Sequence, residues 1–217
     1  MERKMEPEVM DEPARAEAYA AADFSEVNQR FVSEFLLKCA APTRVLDLGC
    51  GPADIPIRLA NAAPGARVTA VDASPAMMAL ARQAVGEAGL DDRVTLVEAR
   101  IPGLPLPARS FDAAISNSLV HHLPEPVAFW KELSRLAAPG AYIHVMDLIR
   151  PESAERAAAI VEAAASGEHP LLKEDFYNSL LAAFTIEEVA EHVAAAGLGT
   201  LWPVQASDRH WLVSGRI

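Results

Sequence analysis

The sequence predicts an α/β protein with a doubly wound sheet of about seven strands, mostly parallel and closed by an antiparallel final strand. Two patterns carry this prediction. Between residues 44 and 150, short apolar runs alternate with helical patterns, which is typical of parallel strands covered on both faces. Near the C-terminus, "LGTLWPV" and "RHWLVSGRI" are joined by a short turn over 206–208, which predicts an antiparallel hairpin. The length of 217 residues suits a single domain, 1–217.

The first part of this domain, residues 1–43, is predicted to be largely helical. Residues 1–13 indicate a frayed polar tail. Residues 14–39 follow a helical repeat with a break around residues 23–25, and Pro42 ends the helical region.

The second part, residues 44–150, contains the alternating core. A helix is expected to begin at Ser74 as N-cap with Pro75 in its first position. Two more helices are expected over about 53–62 and about 125–137. Five strands are predicted at "RVLDLG", "RVTAVDA", "RVTLVEA", "FDAAISN" and "AYIHVMDLI".

The last third of the chain begins with a helical insertion before strand six, over residues 151–183. Residues 184–217 supply a closing helix and two strands. Thr185 and Glu188 have the spacing of a capping box at the start of that helix, and Gly197 ends it.

Composition and charge narrow the class of function. The formal net charge is -11, so no nucleic-acid partner and no anionic membrane surface is expected. No run of about 18 apolar residues indicates a membrane span. The charged N-terminus lacks the apolar region of a signal peptide, and Cys39 and Cys50 lack metal-site spacing. We therefore expect a cytoplasmic protein, monomeric or homodimeric, without a metal.

The turn "DLGCGPA" follows the first predicted strand and is the strongest functional motif. A phosphate loop would continue with Lys and Ser or Thr, and a dinucleotide fingerprint would have a third glycine, but neither occurs. Asp47 would repel a pyrophosphate and suits a cationic amino group. Asp72 ends the second strand, where a carboxylate can accept hydrogen bonds from ribose hydroxyls. An amino acid joined to a nucleoside, as in S-adenosylmethionine, has this profile.

Five motifs in order resemble those of the class I S-adenosylmethionine-dependent methyltransferases, closest to the small-molecule branch that includes the quinone-biosynthesis enzymes. They are "VLDLGCGPA", "VTAVDAS", "LPLPARSFD", "SNSLVHHL" and "LAAPGAYIHVMDLIRP", and they cover about residues 44–150. The resemblance implies a Rossmann-like fold, an N-terminal helical lid over the cofactor and an insertion that roofs the substrate site. Two positions depart from the family pattern: Ala53 replaces a glycine, and Ala99-Arg100 replaces a Gly-Asp pair that precedes the adenine.

The resemblance implies a role for each part of the cofactor site. Residues of the glycine turn and the end of strand four would surround the methionine and sulfonium, and Asp72 would bind the ribose. Two residues after strand two would contact the adenine face, with the backbone of Ile101 and the stem of Arg100 beside it. Tyr19 in the lid either contacts the methionine or packs in the core. The cofactor-binding residues implied are Tyr19, Asp47, Gly49, Cys50, Gly51, Asp72, Ala73, Met77, Arg100, Ile101 and Asn117.

Candidate catalytic residues follow the fourth and fifth strands. His121 could act as a general base near neutral pH, and Asp147 is a second candidate. Arg150 either lines the substrate pocket or forms an ion pair with a glutamate. Phe176 and Tyr177, in the insertion, are expected to contact the substrate together with His121.

The predicted function is transfer of a methyl group from S-adenosylmethionine to a small-molecule acceptor. Two alternatives remain open from the sequence. The same pocket could serve an S-adenosylmethionine-binding enzyme of other chemistry, or a non-catalytic protein that binds S-adenosylmethionine or its demethylated product.

Overall fold

The computed structural model describes residues 1–6 and 12–217, and its centre is a seven-stranded sheet in the order β3-β2-β1-β4-β5-β7-β6. Strands β1 to β5 are parallel, whereas β7 runs antiparallel to both β5 and β6. The predicted mixed sheet and its closing hairpin are confirmed. The strands are β1 (Arg44–Leu48), β2 (Arg67–Asp72), β3 (Val94–Glu98), β4 (Phe111–Asn117), β5 (Ala137–Leu148), β6 (Pro203–Gln205) and β7 (His210–Arg216).

The helices begin and end close to the predicted positions. Ser74 accepts a hydrogen bond from the Met77 N–H, and Thr185 and Glu188 form the expected capping box. The described residues contain the helices α1 (Pro13–Ala21), α2 (Ser25–Lys38), α3 (Asp54–Ala62), α4 (Pro75–Glu87), α5 (Pro126–Leu136), α6 (Ala154–Ala165), α7 (Pro170–Ala182) and α8 (Ile186–Ala195), and a 3-10 turn at Val120–His122. None of the described helices has the length and apolar character needed to cross a membrane.

The core has one apolar layer on each face of the sheet. Alternate residues of β1 point to opposite faces: Leu46 packs with α5 and α8, and Val45 packs with α2, α3 and α4. Trp130 and Trp211 are fully buried in the first layer, and Phe31 is buried in the second. Helices therefore cover both faces of the sheet, as a doubly wound fold requires.

Residues 1–6, here called the N-terminal strap, are not the frayed tail that the sequence suggests. The Arg3 side chain donates to the backbone carbonyls of Ala182 at 2.6 Å, His121 at 2.8 Å and Leu123 at 3.2 Å. Its guanidinium also lies 4.0 Å from the centre of the Phe184 ring. The prediction of a tail over residues 1–13 is therefore wrong for residues 1–6, and residues 7–11 lie outside the described part. These contacts join distant parts of the chain, so no local pattern reports them.

Candidate active site

One cavity of about 360 Å³ lies at the carboxyl ends of the strands, beside the switch point between β1 and β4. The lid helices α1 and α2 contribute residues to one wall, and α6 and α7 of the insertion contribute to another. Most of the residues predicted for the site line this cavity. These are Tyr19, Gly49, Gly51, Asp72, Ala73, Met77, Ile101, Asn117, His121 and Phe176.

The glycine turn brings its backbone close to neighbouring groups. Gly49 has a φ of +77°, and a Cβ added there would lie 2.8 Å from the Cβ of Leu119. The N–H groups of Gly49 and Cys50 both donate to the Val71 carbonyl, at 2.8 and 3.0 Å. Only glycine meets both requirements at position 49 without strain. The turn is therefore fixed against the end of β2.

Asp47 is a buried carboxyl group at the end of β1, with 2% of its surface exposed. Its Oδ2 has no hydrogen-bond partner among the described residues, and neither has Oδ1 of the nearby cavity residue Asn117. Burial, together with the negative charge of Asp72, raises the pKa of Asp47 to about 8. A cationic ligand would favour the ionised carboxylate. These acceptors therefore fit the α-ammonium group of an amino acid.

Asp72, unlike Asp47, is held by backbone donors. Its Oδ2 accepts a hydrogen bond from the Gly51 N–H at 2.8 Å, and its Oδ1 accepts one from the Ser74 N–H at 2.9 Å. Each carboxylate oxygen has more than one acceptor site. The geometry therefore fixes the carboxylate at the cavity wall, where it suits a pair of hydroxyl groups. Ala73 and Met77 line the adjacent wall.

His121 and Asp147 form a buried pair at the other end of the cavity. His121 Nδ1 lies 2.6 Å from Asp147 Oδ1, and the His121 N–H donates to Asp147 Oδ2 at 2.9 Å. Burial opposes both charges, but their mutual attraction prevails, so the pKa of His121 is raised and that of Asp147 is lowered. Asp147 is 0% exposed and His121 lines the cavity. Asp147 therefore orients His121, and only the imidazole faces a ligand.

The lid is held against the insertion by ion pairs. Arg15 of α1 pairs with Glu174 and Asp175 of α7. Tyr19, four residues further along α1, lines the cavity with its ring 4.9 Å from that of Phe24. Burial, reinforced by nearby carboxylates, raises the pKa of Tyr19 to about 12, so its phenol stays a hydrogen-bond donor.

Six predicted residues do not line the main cavity: Asp47 and Asp147, described above, and Arg150, Tyr177, Arg100 and Cys50. Arg150 pairs with Glu188 at 2.7 Å, as in the ion-pair alternative. Tyr177 packs against the apolar cluster of α6 and α7. Arg100 is exposed between two residues that line the cavity. Cys50 lies in the turn with a buried thiol whose pKa is raised by burial, so it remains protonated.

Glu6, a strap residue beside the cavity residues His121 and Ser179, was not predicted from the sequence. Its Oε1 accepts a hydrogen bond from Ser179 at 3.0 Å and lies 3.4 Å from His121 Nε2. Burial raises the pKa of Glu6. The sequence around this residue is polar and has no periodicity that could have indicated a buried site.

Comparisons with known proteins agree with this geometry. Residues 45–140 match the family model described as a methyltransferase domain. A demethylmenaquinone methyltransferase of Thermus thermophilus is 35% identical over 111 residues, which are 51% of this chain and 50% of that protein. A 27-O-demethylrifamycin SV methyltransferase of Amycolatopsis mediterranei is 29% identical over 163 residues, which are 73% of this chain and 60% of that protein. This chain therefore spans only about half to three-fifths of the length of these two relatives.

A solved structure matches over nearly the whole fold. The crystal structure of a SAM-dependent methyltransferase from Aquifex aeolicus has a TM-score of 0.69, with 21% identity, and the match covers 95% of this chain and 98% of that one. This likeness establishes the fold. The match over residues 45–140 adds a methyltransferase domain to this fold, and both findings agree with the resemblance to the class I S-adenosylmethionine-dependent methyltransferases that the motifs carry.

Proposed function

We propose that this protein transfers a methyl group from S-adenosylmethionine to a small-molecule acceptor. The observation that carries the proposal is the proximity of two acids with different surroundings: Asp72 lines the cavity, and Asp47 is buried close to it. Asp47 is buried with an oxygen that no described residue contacts by a hydrogen bond, and Asp72 is held by two backbone N–H groups. The first suits an ammonium group and the second a ribose, so both ends of the cofactor have a partner.

When bound, the cofactor supplies an activated methyl group, so the protein has mainly to align the acceptor and exclude water. The lid residues Tyr19 and Phe24 and the insertion residues Leu172 and Phe176 enclose the cavity. In this proposal, residues 1–43 act as the lid, 44–150 as the cofactor core and 151–183 as the roof. A largely apolar cavity of about 360 Å³ favours a small acceptor, and the acceptors named for the two relatives support the same class.

His121 is proposed to receive the proton of an acceptor hydroxyl. Its Nδ1 is engaged by Asp147 at 2.6 Å, which leaves Nε2 as the nitrogen available for this task. Asp147 is a positioning residue because it does not reach the cavity. Arg100 could cover the adenine with its methylene stem, as the sequence suggests.

The proposal also covers the compartment, the type of partner and the oligomeric state of the protein. Cys39 and Cys50 are free thiols, which supports a reducing, cytoplasmic compartment. The net charge of -11 supports a small-molecule partner over nucleic acid. We propose a monomer or a homodimer.

Calorimetry with S-adenosylmethionine, its demethylated product and NAD tests the cofactor. We expect both sulfur compounds to bind and NAD not to bind; binding of NAD alone would overturn the proposal. Asp72→Ala should weaken the binding of S-adenosylmethionine by about 30-fold or more, because ribose hydroxyls lose a charged acceptor. Asp92→Ala, at an exposed site, is the matched control. Equal affinity in both variants would contradict the ribose assignment.

Transfer of a labelled methyl group tests turnover. The protein is incubated with labelled S-adenosylmethionine and a fractionated metabolite extract. We expect label to appear in a small-molecule fraction. Tight cofactor binding without any labelled product would favour the non-catalytic alternative.

A further inference from the structure

Three potential metal ligands meet at the acceptor end of the cavity: Glu6, His121 and His122. Glu6 Oε1 lies 3.4 Å from His121 Nε2 and 3.2 Å from His122 Nδ1. All three ligand atoms lie within 4.8 Å of one another. In a tetrahedral zinc site with bonds of about 2.1 Å, neighbouring ligand atoms are about 3.4 Å apart. Two of the three distances between ligand atoms therefore already suit a tetrahedral zinc site.

The groups around these ligands orient them as a metal site requires. Asp147 Oδ1 lies 2.6 Å from His121 Nδ1, so in the neutral imidazole Nδ1–H donates to the carboxylate and the lone pair of Nε2 points towards Glu6. Histidines that bind metals commonly donate their other N–H to a carboxylate in this way. On the other side, the Ser179 hydroxyl donates to Glu6 Oε1 at 3.0 Å and holds that carboxylate in place.

Burial and access also suit a bound cation. The His121 side chain is 3% exposed, and its Nε2 has no hydrogen-bond partner among the described residues. The Glu6 and His122 side chains are 11% and 18% exposed. Both histidines line the cavity, so a fourth coordination position would open towards the acceptor. Three protein ligands with one open position is the arrangement of catalytic zinc sites.

We propose that Glu6, His121 and His122 bind one divalent transition-metal ion, with Zn²⁺ as the preferred ion. Two imidazoles and one carboxylate are ligands that Zn²⁺ accepts, whereas Mg²⁺ and Ca²⁺ prefer oxygen alone. No metal was expected because Cys39 and Cys50 lack metal-site spacing, but the ligands proposed here are two adjacent histidines and a carboxylate of the strap. The proposal is independent of methyl transfer. A metal on His121 Nε2 would prevent that nitrogen from receiving the proton of the acceptor, and the metal would instead lower the pKa of an acceptor hydroxyl bound to it.

The test is calorimetry of ZnCl₂ binding to the full chain without a histidine tag, after treatment with a chelator. We expect one Zn²⁺ per chain, with a dissociation constant on the order of 1 μM or tighter. MgCl₂ should not bind in the same range. Glu6→Gln and His122→Gln should each weaken Zn²⁺ binding by about 10-fold to 100-fold or more. His121 is not substituted, because its loss would leave the buried Asp147 carboxylate without its charged partner.

Matched controls separate this site from adventitious binding. Glu2→Gln removes an exposed carboxylate from the same strap, and His169→Gln removes an exposed imidazole elsewhere. Both variants should bind Zn²⁺ as the parent protein does. In a second measurement, Co²⁺ should give the visible absorption of a tetrahedral site in the parent protein but not in the Glu6→Gln/His122→Gln double variant. Zn²⁺ binding that is absent, or unchanged in the double variant, would overturn the proposal.

Discussion

Replacement of Asp47 by asparagine tests whether the ionised Asp47 carboxylate destabilises the folded protein when no ligand is bound. The folded protein raises the pKa of this group from 3.8 to about 8, chiefly through burial. Between these values the folded state binds more protons at Asp47 than the unfolded state does. The contribution of Asp47 to stability therefore falls as the pH rises from about 4 to about 8, and then levels off. Asparagine has nearly the same shape and cannot ionise.

The size of the effect follows from the pKa shift. The rise in the pKa of Asp47 from 3.8 to about 8 corresponds to a loss of about 5 kcal/mol in folding stability, at about 1.36 kcal/mol per pKa unit. This figure is an upper bound, because the surrounding groups can move to stabilise the ionised carboxylate. We expect Asp47→Asn to be more stable than the parent by at least ~2 kcal/mol at pH 9, or ~4–8 °C in melting temperature for a chain of this length. The difference should shrink steadily towards pH 5. Asp91→Asn, at an exposed site, should show no comparable change.

The same variant should bind S-adenosylmethionine less well. Loss of one partner of a buried charge pair costs about 2 kcal/mol or more, which is about 30-fold in affinity. At pH 7, binding to the parent should release about one proton, because the ammonium group ionises a carboxyl that was protonated. Calorimetry in buffers of different ionisation enthalpy measures that proton, and Asp47→Asn should release none. A variant that binds with parental affinity, or is less stable at pH 9, would refute this account of the site.

Two further predictions concern the turn and the strap. Gly49→Ala should cost more than ~2 kcal/mol in stability and abolish cofactor binding, because its Cβ would lie 2.8 Å from Leu119. Gly89→Ala, with a φ of +65° and nothing within 4 Å, should cost only ~1 kcal/mol of backbone strain; equal losses in urea unfolding would contradict the packing argument. Arg3→Ala should lower the free energy of unfolding by ~1–3 kcal/mol, because three backbone carbonyls lose a charged donor. Lys4→Ala is its control, and an equally small effect of both variants would contradict a stabilising role of the Arg3 side chain.

Those parts of the fold that depend on local patterns could be predicted from the sequence. The five parallel strands follow apolar runs, and the helix starts at Ser74 and Thr185 follow from cap residues whose partners lie three positions away. The glycine turn and Asp72 were found in the same way, because both lie at strand ends that a parallel sheet brings to one edge. The approach of Leu119 to Gly49, by contrast, depends on how the loop after β4 closes.

The pairings within the site could not be predicted, because they join distant positions. His121 and Asp147 were each identified from their place after a strand, but their contact depends on the register of β4 against β5. Arg150 lies at the predicted edge of the sheet, and its side chain forms an ion pair with Glu188 of α8. The sequence leaves open whether Arg150 forms such a pair or lines the substrate pocket. Glu6 has no local signal at all. Side-chain partners are decided by tertiary packing, and packing across long separations leaves no periodicity in a single sequence.

Asp72, Asp147, Glu6 and Asp47 are stabilised in different ways, and these differences separate structural roles from functional ones. Backbone N–H groups hold Asp72, His121 holds Asp147, and Ser179 with the two histidines holds Glu6. Asp47 differs, since its Oδ2 has no hydrogen-bond partner in the described part of the chain and burial favours its protonated form. A bound cation would therefore favour the ionised form of Asp47. It follows that the affinity for the cofactor should depend on pH through Asp47, and that this dependence between pH 6 and pH 9 should disappear in Asp47→Asn.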